Sequence, residues 1–97
     1  MTITLKNVKS ASMAKYAIVL TKTSQKQLDK LDNALADVII DAIIKLANNP
    51  RPSGCKKLKG RPGYRIRVGS YRVIYEIIDH QLLITVVALG HRKDIYD

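Results

Sequence analysis

The sequence contains no tryptophan and no phenylalanine, so its five aromatic residues are all tyrosines. With a single cysteine, Cys55, no disulfide can close within the chain, and two histidines are too few to suggest a structural zinc site. Cys55 sits in a Gly/Lys-rich stretch with no neighbouring His or acid to activate a thiol. No apolar run approaches the ~18 residues of a membrane span. The first residues, MTITLKNVKSASM, lack the apolar segment of a secretory signal. Together these absences predict a reducing, cytoplasmic setting without a membrane partner. The most informative absence is of negative charge, for no Asp or Glu occurs between Asp41 and Glu76.

What is present in that window is basic: Lys45, Arg51, Lys56, Lys57, Lys59, Arg61, Arg65, Arg67 and Arg72. They supply over half of the 17 basic residues that, against 8 acidic ones, give the chain a net charge of +9. A concentrated excess of this kind favours a polyanionic partner, either nucleic acid or an acidic protein. The length, 97 residues, is that of one domain, and 46% hydrophobic composition is that of a globular one.

Residues 1–13 carry no periodicity and read as an N-terminal extension, with Met13 a possible alternative start; residues 14–97 read as the single domain. KYAIVL, 15–20, is an apolar run of strand length. In the next segment Leu28, Leu31, Leu35, Val38, Ile39, Ala42, Ile43 and Leu46 recur at helical spacing. Thr23 or Ser24 is positioned to cap its start, Asp32 or Asn33 to cap a second helix, and Asn48-Asn49-Pro50 to stop it, which predicts a helical hairpin. A loop over 50–63 leads to strand-like runs at 64–68, 71–78 and 82–89. The expected fold is therefore α+β: an N-terminal strand, a helical hairpin, then a three-stranded antiparallel meander, with the helices packed on one sheet face.

Gly69-Ser70 is a two-residue, Gly-first connection suited to a tight hairpin. With it at the tip, Val68 faces Tyr71, Arg67 faces Arg72, Ile66 faces Val73 and Tyr64 faces Tyr75. Alternation then assigns the apolar set to the core and leaves Arg65, Arg67 and Arg72 together on the other face. Like charges opposed across two strands destabilise the pair unless an anion sits among them, and phosphate is the anion such a face suits. The chain then closes with GHRKDIYD, which adds His91, Arg92 and Tyr96 just beyond the last expected strand. Arginine clamps phosphate and stabilises the charge that builds in a transition state, whereas imidazole or phenol can move protons. No carboxylate cage accompanies these residues, so no metal or other cofactor is expected.

The succession KKLKGRPGYRIRVGSYRVIYEI, followed by GHRKDIYD, resembles the RelE/ParE superfamily of toxins from type II toxin–antitoxin pairs. The resemblance covers about residues 14–97 and favours the RelE-like branch. It implies a ribosome-dependent messenger-RNA endoribonuclease that acts without metal, by attack of the ribose 2′-hydroxyl. Arg65 and Arg67 fall where that branch places two basic strand residues, and Arg72 on its sheet arginine. Arg92 and Tyr96 fall on the arginine and tyrosine that follow the final strand, and His91 precedes that arginine. On this basis Arg67, Arg72, His91, Arg92 and Tyr96 are the candidate catalytic residues. Lys56, Lys57, Lys59, Arg61 and Arg65 are the candidate RNA and phosphate ligands. Arginine cannot act as a general base, so His91 or Tyr96 is left to carry the proton transfers. The resemblance further implies a cognate antitoxin, acidic in the segment that wraps the toxin, with ribosome and mRNA as targets and operator DNA as a site for the pair. Two rival readings stand beside it: ParE-like inhibition of DNA gyrase, without nuclease activity, and a basic nucleic-acid-binding module that cuts nothing.

Overall fold

The computed structural model describes residues 3–4 and 15–91. Its elements are β1 (Ile3–Thr4), β2 (Ala17–Leu20), α1 (Lys22–Asp29), α2 (Asn33–Lys45), β3 (Lys56–Lys57), β4 (Tyr64–Val68), β5 (Tyr71–Ile78) and β6 (Leu83–His91). They form one six-stranded sheet in the order β1-β2-β6-β5-β4-β3. All neighbours are antiparallel except β2 and β6, which run parallel, as expected when a helical hairpin connects β2 to the meander. Among the described residues no helix is long and apolar enough to cross a membrane.

The helical hairpin is present, with its break where Asp32 caps α2 by accepting from the Leu35 N–H at 2.8 Å. The cap of α1 is Thr21, ahead of the two expected residues; its Oγ1 accepts from the Ser24 N–H at 3.1 Å. Ile39 and Ile43 of α2 and Leu28 of α1 are buried against Ile18, Leu20, Val73, Tyr75, Ile84 and Val86 of the sheet. Each such side chain contributes about 1.5–3 kcal/mol by leaving water. Val38 departs from the expected apolar stripe: it is 54% exposed, because it lies on the flank of α2 that the sheet does not cover.

Two short strands were not expected. Ile3 and Thr4 pair with Leu20 and Val19, so the segment read as a bare extension contributes the outermost strand beyond β2. Lys56 and Lys57 pair with Arg65 and Tyr64, which turns part of the 50–63 loop into the opposite edge. That loop is fastened to the sheet by polar contacts. The Tyr75 hydroxyl donates to the Pro50 carbonyl at 2.7 Å, and Arg51 reaches Asp79 at 3.0 Å and the Tyr64 hydroxyl at 3.2 Å. Tyr16 donates to the same Asp79 carboxylate at 2.6 Å. Arg51 and Tyr16 hold that carboxyl below its ordinary value, and the carboxylate in turn raises the Tyr16 phenol.

The strand β6 contains an irregularity that determines what its end can reach. Ile74 opposes Ala88 but Tyr75 opposes Val86, so Val87 is an extra residue in β6. Beyond Val86 the β2 side of β6 has no strand partner among the described residues, and α1 takes over. Val87 C=O accepts from the Thr21 hydroxyl at 2.9 Å, Val86 C=O from the Ser24 hydroxyl at 2.8 Å, and the Leu89 N–H donates to Gln27 Oε1 at 2.7 Å. Few residues of α1 are apolar; these polar contacts dock it.

Candidate nucleic-acid interface

The β4–β5 hairpin has the register that its turn predicts: Tyr64 opposite Tyr75, Ile66 opposite Val73, Arg67 opposite Arg72, and Val68 opposite Tyr71. Gly69 alone of the two turn residues has positive φ, +60°, which a Gly-first hairpin requires. Directly opposed residues share a face, so Arg67 and Arg72 project together from the side of the sheet that the helices leave uncovered. On its other flank Arg72 is opposed by Gly90 of β6. Arg67 is exposed and Arg72 half-buried. The two guanidinium-bearing positions thus form a basic pair on one face, of the kind that suits an oxyanion such as a backbone phosphate.

Arg65 occupies the same face but differs from the expectation of an open triad. It is 2% exposed, opposite Ile74 on one side and Lys56 on the other. Ile74 and Leu58 are buried too, yet neither belongs to the core beneath the helices. The arginine face therefore has a covered half around Arg65 and an accessible half around Arg67. Glu76 cannot neutralise the accessible half: its Cγ lies over Gly63, 3.5 Å from where a β-carbon there would stand, at the far end of the hairpin.

The lysine and arginine candidates of the loop divide between surfaces. Lys56 projects beside Arg65, whereas Lys57, the next residue, points to the helix side with Nζ 5.3 Å from the Tyr64 ring centre. Lys59 and Arg61 are exposed in the turn that follows.

His91 is the last residue of β6 rather than part of a tail beyond it. It opposes Tyr71, with the rings edge-on at 5.7 Å, so it stands on the helix side of the sheet while Arg67 and Arg72 stand on the other. The extra residue at Val87 causes this, since it shifts the alternation of β6 by one and turns Leu89 and His91 toward the helices. Arg92 and Tyr96 lie outside the described residues.

Sequence reasoning missed a groove of about 560 Å³ between α2 and β4. It is lined by Val38, Ala42, Leu46, Ile66 and Val68, with Lys45 and Arg67 among its basic lining residues. The signal available was that Val38 follows Asp37 on the edge of the apolar stripe, which alone does not show that the sheet stops short of it.

The fold and the basic hairpin define a class: small α+β domains with an arginine-bearing sheet face. A family profile described as the ParE toxin of type II toxin–antitoxin systems matches residues 18–96, and the chain belongs to that family, within the RelE/ParE superfamily. It is 35% identical over 89 residues to a RelE-like toxin protein of Escherichia coli, a match covering 86% of this chain and 92% of that one. It is 26% identical to the mRNA interferase toxin RelE of E. coli, over 80% of this chain and 84% of the relative. Among solved structures, the archaeal RelE–RelB complex of Pyrococcus horikoshii superposes with a TM-score of 0.73 at 28% identity, covering 84% of this chain and 99% of that one. The chain is thus the toxin of a type II toxin–antitoxin system, of the RelE family.

Proposed function

We propose that this toxin is a ribosome-dependent endoribonuclease that cleaves messenger RNA and so stops translation. The observation that carries the proposal is the opposed pair Arg67 and Arg72 on the sheet face away from the helices. The similarity to a relative named as an mRNA interferase supports it. In the reaction, the ribose 2′-oxygen loses its proton and bonds to the adjacent phosphorus. The bond from phosphorus to the 5′-oxygen breaks, and that oxygen takes up a proton, leaving a 2′,3′-cyclic phosphate and a 5′-hydroxyl. Arg67 and Arg72 hold the phosphate and stabilise the extra charge on its oxygens, a contribution worth about 3–4 kcal/mol per donor in comparable sites. Arg92 is assigned to the same task by its place in the family motif, and Tyr96 to proton transfer.

The geometry changes two assignments. His91 faces Tyr71, away from the arginines, and serves in this reading as a ring partner that fixes the end of β6. Arg65, almost wholly covered, supports the face from within rather than binding substrate. Lys56, Lys59 and Arg61 are the exposed charges left to follow the RNA backbone on that side, with Lys57 meeting phosphates around the edge. The ribosome supplies substrate alignment, which is the share of catalysis an open site cannot provide.

The partner in this reading is an antitoxin, as the RelE–RelB assembly of the archaeal relative suggests. An acidic wrapping segment is drawn to a surface of this charge at long range. The complex of the two is proposed to bind operator DNA, and the setting to be cytoplasmic. The match to the ParE profile favours one second reading, inhibition of DNA gyrase without RNA cleavage. Incubating the purified toxin with programmed ribosomes, and separately with gyrase and relaxed plasmid, decides between them. Cleaved mRNA with 2′,3′-cyclic or 3′-phosphate ends supports the nuclease; intact mRNA with failed supercoiling supports the alternative.

A further inference from the structure

The flanks of the sheet are closed unequally. β2 is paired by β1 at Val19 and Leu20, and β6 is sealed beyond Val86 by the α1 side chains Thr21, Ser24 and Gln27. β4 is paired on its outer side only at its start, where Lys56 and Lys57 meet Arg65 and Tyr64. Among the described residues no strand lies beside Ile66, Arg67 and Val68 on that side. The hairpin turn decides which backbone groups are left there. In a two-residue hairpin the residues flanking the turn exchange both hydrogen bonds, so Val68 pairs through its backbone with Tyr71, and Ile66 with Val73. Arg67 alternates with them and directs its N–H and C=O away from β5, toward the bare edge.

The groove of about 560 Å³ runs along the same stretch, lined by Ile66 and Val68 of β4 and by Val38 and Ala42 of α2. Its charged lining is Lys45 and Arg67 against one acid, Asp41, after which the chain has no acid until Glu76. An extended peptide meets all of these features at once. With its backbone paired to Arg67, the residue directly opposite carries its side chain on the same face as that guanidinium. The two neighbours then point to the helix side, over Ile66 and Val68. Apolar side chains suit those two places and a carboxylate the middle one, a pattern apolar–acidic–apolar. Nucleic acid offers neither a strand ladder nor apolar side chains, and a second copy of this chain, itself +9, is repelled.

We propose that this edge and groove receive an extended segment of the antitoxin, added as a further strand beside β4, and that the segment's central acid occupies Arg67. A surface this basic selects an acidic segment over a neutral one, and strand pairing with apolar burial supplies the affinity that charge alone does not. Arg67 is also the exposed member of the arginine pair, so the segment competes with phosphate for the same guanidinium. The inference rests on the antitoxin partner of the proposed function and not on RNA cleavage.

The test compares amide exchange of the full toxin, free and in the complex it forms when co-expressed with its antitoxin. The Arg67 amide is expected to exchange fast in the free chain and about 100-fold more slowly in the complex. The amides of Ile66 and Val68, already paired to β5, are expected to change far less. Val38→Arg puts a charge into the groove at a position 54% exposed, so it should melt as the wild type yet bind the antitoxin about tenfold more weakly. Added positive charge by itself favours an acidic partner, so Gln81→Arg, at the far end of the sheet, is expected to bind at least as tightly as the wild type. A complex in which Arg67 exchanges as fast as in the free chain overturns the proposal, as does wild-type affinity in Val38→Arg. Protection of Arg67 in the free toxin as its concentration rises would make a second copy the occupant, and overturns it too. Failure of the two proteins to form any complex would overturn the antitoxin reading itself, and this inference with it.

Discussion

Replacing Gln27 by methionine probes how α1 holds the irregular strand β6. Gln27 Oε1 accepts the Leu89 N–H at 2.7 Å, and Leu89 is 1% exposed. Methionine has nearly the same length and volume, so little packing is lost, but it offers no comparable acceptor. The Leu89 N–H is then stranded on the flank of β6 that β2 does not cover. A buried donor left without its acceptor costs about 1–3 kcal/mol, and the burial of Leu89 places this case near ~2 kcal/mol. For a domain of this size that is a fall of roughly 8–16 °C in melting temperature. Gln27→Glu keeps an acceptor oxygen and should lose far less. Gln25→Met serves as the control, because the Gln25 side chain, two residues earlier, donates to Asp29 in an exposed contact within α1. Thermal unfolding followed by circular dichroism, with amide exchange at Leu89, measures all three. If Gln27→Met melted with the wild type while the Leu89 amide stayed protected, α1 would not be what secures the bulge.

Gly63 has φ of +121°, and a β-carbon there would stand 3.0 Å from the Tyr75 carbonyl, so Gly63→Ala should cost about 1–3 kcal/mol in urea unfolding. Leu82 is the contrary case: it holds φ of +50° and is 43% exposed, so Leu82→Gly should raise stability by up to about 1 kcal/mol in the same assay. The Asp79 carboxyl is lowered from 3.8 by Arg51 and Tyr16, so its contribution is present above that value and lost as pH falls through the lower folded one. The Tyr16 phenol is raised from 10.0 by Asp79, so its share is present below that value and lost as pH climbs through the higher folded one. Asp79→Asn should therefore flatten both the acid and the alkaline limb of a stability–pH profile measured by thermal melting.

The hairpin was legible in the sequence because two independent constraints agreed. Gly69-Ser70 fixed the turn, and strict alternation on both sides fixed which residues face the core, so the opposition of Arg67 and Arg72 followed without any tertiary information. The helical hairpin was legible for a similar reason, since Asp32 interrupts the apolar period where it can also cap. The orientation of His91 was not legible. The run LLITVVALG is apolar almost throughout, so an inserted residue at Val87 leaves no break in pattern, yet it reverses the face of everything after it. β3 was hidden because two lysines in a Gly/Pro loop carry no strand signal; their strand state comes from pairing with β4. The burial of Arg65 was hidden because alternation gives the face of a residue but not what else covers that face. Ile3–Thr4 escaped notice because two residues are too short to show a period.

The central claim is that Arg67 and Arg72 are opposed in order to hold a phosphate. It is tested most directly by measuring ribosome-dependent mRNA cleavage and melting temperature together for Arg67→Ala and Arg72→Ala. Removing the exposed Arg67 charge relieves its repulsion with Arg72 in the free protein, and removing either arginine deprives the transition state of a donor. For Arg67→Ala the melting temperature should stay equal or rise, while cleavage falls by about 10²–10³-fold for either variant. Variants that melt lower than wild type and still cleave at its rate would make the pair structural, and the nuclease reading would fall with it.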